Sequence, residues 1–177
     1  MPRGRRLRLA LLGLAGLVVL CVAALGASAA LDRPARVVTL PSTVVGTKQE
    51  VWDTLTDFAA YEEWNPVVTE ASGEAREGGE LDLEVRLPGH DPESLEAKVL
   101  IFRPERKLRW QDRLVLPGVR DWEYEFVLEP VEGGHVRIVQ LLRIEGLLAP
   151  FADTAAAREA LELQAEALVA RLAEAQR

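Results

Sequence analysis

The sequence predicts an α+β domain in which a curved antiparallel sheet of about six to seven strands packs on a long C-terminal helix, preceded by one N-terminal apolar helix. Three patterns support this prediction: hydrophobicity that alternates with a period of two through residues 67–145, an unbroken helix-favouring segment at 155–176, and an uncharged run at 9–31. Strands with one apolar face need a cover, and an amphipathic helix supplies one. With 177 residues, the chain has room for one such domain and a short appendage.

The N-terminal run is predicted to anchor the protein in a membrane. Four arginines within the first eight residues precede 23 uncharged residues, which would reach about 34 Å as a helix against a hydrocarbon core of about 30 Å. The arginine excess places the N-terminus in the cytoplasm and the domain outside. The alternative is a signal peptide cleaved near Ala29, which would release a secreted or periplasmic domain. The predicted organisation is an anchor or signal at 1–31, a short linker at 32–35 and a domain at 36–177.

Charge and cysteine content narrow the classes of partner. Without the four leading arginines, 17 of the 21 basic residues remain against 28 acidic ones, a formal charge of −11 for the domain. Such an acidic surface disfavours nucleic acid and anionic lipid headgroups as partners. Cys21 is the only cysteine in the sequence, which excludes an intramolecular disulfide and a cysteine-based metal site.

The first elements of the domain are a strand and a short helix. β-branched residues at 37–45 predict the strand, and Pro41 assigns it to an edge or a bulge. Thr47 and Glu50 match a capping box, which predicts that a helix starts there. That helix is expected to end before Pro66, because proline disfavours the helical conformation at the residue preceding it.

Alternation predicts the remaining strands. Apolar residues alternate with charged ones at 81–87, 95–101, 108–116, 122–128 and 136–144, which is typical of strands with one wet face. On this parity Ile101, Leu114 and Leu116 belong to the inward-facing set. The pair Gly133-Gly134 predicts a hairpin turn before the last strand.

The C-terminal segment is predicted to form one long helix that covers the sheet. Asp153 or Thr154 is the expected N-cap. An apolar stripe at helical spacing would face the sheet; it consists of Ala157, Leu161, Ala165, Leu168 and Leu172.

Short motifs along the domain, taken in order, resemble the polyketide cyclase and START-like superfamily, abbreviated SRPBCC. The motifs are Val51-Trp52 with Leu55, Asp57, Tyr61 and Trp64-Asn65-Pro66, then residues 104–108, residues 126–130 with Gly133-Gly134, and Gly146-Leu147-Leu148. The resemblance covers roughly residues 36–175. It implies the helix-grip fold, with a cavity between sheet and helix that commonly holds lipids, polyketides, sterols or quinones. Because members include carriers, cyclases, receptors and chaperone activators, the resemblance implies no single activity.

The predicted cavity residues are inward-facing side chains of the strands and of the last helix. They are Leu83, Val85, Val99, Trp110, Asp112, Tyr124, Phe126, Ile138, Gln140, Leu161 and Leu168. Asp112 and Gln140 stand out, since a buried polar group needs a partner. Either they supply polar contacts to a ligand, with Asp112 also a candidate general base, or a bulge turns Asp112 outward and Gln140 bonds to the backbone.

The sequence contains no nucleophile motif and no phosphate-binding glycine loop, and His90 and His135 are expected to be structural or solvent-facing. We therefore assign no catalytic residue, metal or cofactor. The leading hypothesis is a membrane-anchored extracytoplasmic domain that binds or carries a small hydrophobic ligand of lipid, polyketide or quinone type. The alternatives are a cyclase or dehydratase that uses Asp112, and a ligand-free regulatory interaction domain. The sequence leaves the oligomeric state open.

Overall fold

The computed structural model describes residues 35–113 and 117–175. The strands within these residues are β1 Ala35–Val45, β2 Val68–Gly73, β3 Glu80–Val85, β4 Glu93–Arg103, β5 Lys107–Arg113, β6 Asp121–Val131 and β7 His135–Glu145. The helices are α1 Lys48–Thr56, α2 Tyr61–Trp64 and α3 Thr154–Ala175, with 3₁₀ turns at Phe58–Ala60 and Ala149–Phe151. The predicted α+β class, the antiparallel sheet and the long final helix are confirmed.

The described strands form one curved antiparallel sheet in the order β1-β7-β6-β5-β4-β3-β2. The first strand therefore lies at an edge, where it pairs along its whole length with the last strand. Pro41 lies opposite Val139 in this pair. Because proline lacks an N–H to donate to a sheet, an edge strand is where it is tolerated, as the sequence predicts.

The predicted capping box forms at the start of α1. The backbone N–H of Glu50 donates to the Thr47 hydroxyl at 3.2 Å, and the backbone N–H of Thr47 donates to the Glu50 carboxylate at 2.7 Å. These bonds satisfy two of the donors that a helix start leaves free. The helical region then bends through the 3₁₀ turn into α2 and stops at Asn65, which is extended (φ −94°, ψ 110°), before Pro66.

One prediction from strand parity is wrong. A bulge between Val99 and Ile101 shifts the register of β4 against β5, so Ile101 pairs with the outward-facing Arg109 and Phe102 pairs with the buried Leu108. The extra residue at a bulge reverses the parity beyond it, which alternation alone does not reveal. Leu114 and Leu116 lie outside the described residues.

Helix α3 covers the sheet as predicted. Asp153 caps it, since its carboxylate accepts hydrogen bonds from the backbone N–H groups of Ala155 and Ala156 at 3.1 and 3.0 Å. The five residues of the predicted apolar stripe are all buried. Ala160 and Gln164 are buried with them, so the covered face of the helix is wider than the stripe and includes one amide.

Two clusters of buried side chains make up the interior. The larger contains residues of α1, the middle strands and the end of α3, among them Leu108, Phe126 and Leu168. The smaller lies around Leu142 and Leu161, near the start of α3. Trp122 and Tyr124 pack against both clusters. Residues of both clusters border a space between the sheet and α3.

The predicted apolar helix at 9–31 lies outside the described residues. Of the helices within residues 35–113 and 117–175, none combines the length and the apolar character needed to cross a membrane.

Candidate ligand-binding site

An enclosed space, which we call the inner chamber, lies between the sheet and α3. Its volume is about 50 Å³. One water needs at least about 10–15 Å³ of such volume, so the chamber holds a few waters or one small chemical group. Its walls are apolar apart from Asp112, Tyr124 and Gln164. The remaining lining residues are Val67, Val68, Leu83, Val85, Leu87, Leu95, Trp110, Trp122, Leu142, Ala157, Ala160 and Leu161.

A second space, the outer vestibule, adjoins the inner chamber and has a volume of 370 Å³. The two spaces share four lining residues, namely Val85, Leu87, Trp122 and Ala157, and we call this shared boundary the neck. Loops from three distant stretches border the vestibule, and they contribute His90 after β3, Arg120 before β6 and Leu148 after β7. Phe151 on this rim is 84% exposed, so a large apolar side chain stands at the entrance.

Glycine 146 allows two of these loops to meet. Its φ is +110°, and a Cβ atom there would lie 2.7 Å from the carbonyl oxygens of Gly118 and Val119. The following backbone N–H groups, of Leu147 and Leu148, donate to those same two carbonyls at 3.0 Å. The loop that leads from β7 into α3 is thus fixed to the turn before β6, which positions the vestibule wall.

Tyr124 joins the sheet to α3 through a buried polar network. Its hydroxyl lies 2.6 Å from the Gln140 Oε1 atom and also contacts the amide of Gln164. The Gln140 Nε2 group donates to the Leu161 carbonyl at 3.4 Å. A phenol has one proton, so it donates to one amide and accepts from the Nε2 group of the other. Burial raises the pKa of Tyr124 well above its ordinary value of 10, and the hydroxyl stays protonated.

Asp112 is the charged side chain of the inner chamber. It faces inward on β5, is 7% exposed, and its Oδ2 atom accepts no hydrogen bond. Burial raises the pKa of Asp112; the Arg120 guanidinium opposes this shift, Glu93 adds to it, and the backbone N–H groups of Arg113 and Glu96 oppose it. The expectation that a bulge turns Asp112 outward is wrong, because the bulge of this region lies in β4.

Arg120 stands at the neck beside Asp112. Its guanidinium binds the Glu93 carboxylate through both terminal nitrogens, with Nη1 at 3.1 Å from Oε2. It also lies over the Trp122 ring, 4.8 Å from the ring centroid, while its Nη2 atom is 3.9 Å from Asp112 Oδ2. Bidentate pairing and stacking hold the guanidinium in place, so its terminal nitrogens bind Glu93 while its charge also acts on Asp112; its buried Nε atom has no hydrogen-bond partner.

Six of the eleven predicted cavity residues line the inner chamber: Leu83, Val85, Trp110, Asp112, Tyr124 and Leu161. The other five, Val99, Phe126, Ile138, Gln140 and Leu168, are buried but lie outside its lining. Gln140 bonds to the backbone, as one alternative holds, and also to Tyr124. The sequence reasoning missed Gln164. Its position three residues after Leu161 and four before Leu168 was the available signal, since that spacing puts it on the covered helix face.

The remaining polar candidates lie apart from the chamber. His90 sits on the vestibule rim with Nε2 3.4 Å from an Asp153 carboxylate oxygen, and His135 begins β7 beside the glycine turn. Within the described residues, no three histidine, cysteine, aspartate or glutamate side chains are grouped so as to hold a metal ion. A trough of 620 Å³ elsewhere is bordered by exposed carboxylates such as Glu70 and Glu96. This trough is larger than the chamber, but it is open to water, so its polar groups are not buried as those of the chamber are.

A curved antiparallel sheet that grips a long helix over an enclosed chamber defines the helix-grip class of START-like domains. Residues 36–177 match the family model described as polyketide cyclase / dehydrase and lipid transport. The chain belongs to this family, which the sequence resemblance had indicated. A search of curated proteins finds no match to the sequence.

Solved structures share the fold. A START superfamily protein from Mycobacterium smegmatis is 20% identical with a TM-score of 0.65, covering 81% of this chain and 99% of its own. The Zhui aromatase/cyclase from Streptomyces sp. R1128 is 19% identical with a TM-score of 0.62, covering 81% and 97%. A norcoclaurine synthase mutant from Thalictrum flavum, in complex with a transition-state analogue, is 13% identical with a TM-score of 0.63, covering 83% and 99%. At these identities the likeness establishes the fold alone.

Proposed function

We propose that the domain binds a small, mostly apolar molecule whose body occupies the outer vestibule and whose one end enters the inner chamber. The observation that carries this proposal is the pairing of apolar walls with a buried carboxylate oxygen of Asp112 that accepts no hydrogen bond. Ligand sites are commonly apolar spaces of about 300–1,000 Å³ with a few orienting polar groups, and the vestibule falls within that range.

The neck offers a direct test of this proposal. Ala157 is 1% exposed and lines both spaces, so Ala157→Leu should obstruct the passage and abolish uptake of an apolar fluorescent probe. Ala156→Leu is the matched control, because Ala156 is also buried on α3 but lines neither space. Both variants overpack the interior, at a cost of about 1–3 kcal/mol, so their folding is compared by circular dichroism. Failure of the unmodified protein to take up any probe would favour the ligand-free interaction domain.

The identity of the bound molecule is best sought in the protein's own host. Native mass spectrometry of the purified protein should show a co-purifying molecule of lipid, polyketide or quinone type. The same sample of Ala157→Leu should lack it, whereas Ala156→Leu should retain it. A ligand that persists in Ala157→Leu would show that binding occurs elsewhere on the chain.

A cyclase or dehydratase is the second candidate function. The raised pKa of Asp112 and its Oδ2 atom, which accepts no hydrogen bond, are features of a general base, and the family description includes such enzymes. Tyr124, the other titratable group of the chamber, stays protonated and so can donate but not abstract a proton. Loss of water from the co-purified molecule on incubation with the protein, absent in Asp112→Asn, would favour the enzyme over the carrier.

We further propose that residues 1–31 anchor the protein with the domain outside the cytoplasm. Support comes from the arginine-rich start before an uncharged run of membrane-spanning length. A reporter active only outside the cytoplasm, fused after residue 177, should be active. Reporter activity in the membrane fraction would indicate an uncleaved anchor, whereas activity released from the membrane would indicate cleavage near Ala29. A silent reporter would contradict both the anchor and the cleaved signal peptide.

A further inference from the structure

Three buried polar groups around the inner chamber have an atom without a hydrogen-bond partner. They are Asp112 Oδ2, Trp122 Nε1 and the Gln164 Nε2 position, and the buried Nε atom of Arg120, beside them at the neck, has no partner either. Asp112 and Trp122 are direct cross-strand partners of β5 and β6, so their side chains leave the same face of the sheet side by side. Gln164, 1% exposed, faces them from α3. Nearly all buried polar groups in folded proteins are paired, so this concentration calls for a partner.

Gln140 is not part of this unpaired set. Its Oε1 and Nε2 atoms are used by Tyr124 and by the Leu161 carbonyl. The Tyr124 hydroxyl also has its hydrogen-bond partners, since it bonds to Gln140 and to Gln164. The polar atoms left over in the chamber lining are therefore an acceptor on Asp112, a donor on Trp122 and one amide atom of Gln164, with the Nε donor of Arg120 next to them at the neck.

The charges around the two spaces disfavour an anionic group on the ligand. The carboxylates are Asp91, Glu93, Asp112 and Asp153, while the permanent cation is Arg120. Arg120 already pairs with Glu93 through both terminal nitrogens. A ligand carboxylate placed beside Asp112 would meet a like charge in a poorly solvated space, and the nearby Arg120 already faces two carboxylates, Glu93 and Asp112, with only its Nε atom lacking a hydrogen-bond partner.

A hydroxyl matches the unpaired atoms. It can donate its proton to Asp112 Oδ2 and accept from Trp122 Nε1, whereas an ammonium has no acceptor to offer the indole and a methyl group has neither function. We infer that the ligand carries an alcohol or phenol hydroxyl on the end that enters the inner chamber, and that Asp112, Trp122 and Gln164 receive it. This inference rests on the proposed ligand-binding function and specifies its substrate class.

Four naphthalenes substituted at the same ring position test the inference: naphthol, methylnaphthalene, naphthoate and naphthylmethylammonium. Their affinities for the full-length protein in lipid nanodiscs are measured by calorimetry at neutral pH, with empty nanodiscs as the blank. Naphthol should bind more tightly than methylnaphthalene by about 10- to 150-fold, the value of one hydrogen bond to a charged group. Asp112→Leu should erase that preference while methylnaphthalene still binds. Glu132→Gln, in the exposed turn before β7, is the control and should preserve it.

The outcomes separate the inference from the function on which it rests. If all four probes bind equally, ligand binding stands and the hydroxyl specificity is wrong. Tightest binding by naphthoate would also overturn the inference and identify Arg120 as the polar contact. Tightest binding by the ammonium would overturn it in favour of simple charge pairing with Asp112. If no probe binds, the proposed function fails, and the inference fails with it.

Discussion

Replacing Tyr124 by phenylalanine removes one oxygen from the centre of the buried network. The substitution leaves the Gln140 Oε1 atom without its partner at 2.6 Å and deprives Gln164 of its contact with the phenol. Gln140 is 0% exposed and Gln164 is 1% exposed, so bulk solvent does not reach either amide. An unsatisfied buried polar group costs about 1–3 kcal/mol, and two of them cost roughly 2–6 kcal/mol. Against a typical total stability of about 5–15 kcal/mol, this loss is large.

Tyr61→Phe is the matched control for that measurement. Tyr61 is fully buried, and its hydroxyl makes one bond, to the Leu55 carbonyl at 2.7 Å. Tyr61→Phe should therefore lower the free energy of unfolding by about 1–3 kcal/mol. Equilibrium denaturation followed by tryptophan fluorescence and circular dichroism gives the free energy of unfolding of each variant. A loss for Tyr124→Phe no greater than that for Tyr61→Phe would refute the account of Tyr124 as a two-sided link between sheet and helix.

The same network predicts coupling between its members. In a Gln140→Met background the Gln140 acceptor is absent, so Tyr124→Phe should cost less than it does in the unmodified protein. Residues in one hydrogen-bond network typically couple by about 0.5–3 kcal/mol. Strictly additive losses would mean that Tyr124 and Gln140 contribute independently.

Three further predictions concern the charge, the loop and the helix that form the site. Because burial raises the pKa of Asp112 above its ordinary 3.8, the folded state binds its proton more tightly than the unfolded state, and ionisation costs stability as pH rises above about 4. Asp112→Asn should therefore be more stable than the unmodified protein at pH 7, with the difference shrinking towards pH 4 in paired thermal melts; a constant difference would contradict this. Gly146→Ala should lower the melting temperature, since its Cβ would lie 2.7 Å from two carbonyl oxygens, and an unchanged melt would show that the loop tolerates the clash. Deleting residues 155–177 exposes several large side chains, each worth about 1.5–3 kcal/mol when buried, and should abolish cooperative unfolding by calorimetry.

Much of the fold followed from local patterns because secondary structure depends on local spacing. The Thr47–Glu50 capping box and the period of two across the strands each lie within a few residues of sequence, and each formed as predicted. The C-terminal segment favours a helix throughout and contains no helix-breaking residue, and its predicted apolar stripe is buried as expected. The inward direction of Asp112 likewise followed from its parity with Trp110.

The site itself was decided by contacts between distant stretches, which spacing does not encode. The bulge at Val99 and Ile101 reversed one parity prediction because a single extra residue changes the face of every residue beyond it. Only the packed structure shows that Gln140 is satisfied by Tyr124 whereas Asp112 Oδ2 has no hydrogen-bond partner. The residue types that suit a ligand also suit a core. The sequence therefore determined which side chains face the interior. The tertiary structure decided which of these side chains pack against one another and which border the chamber.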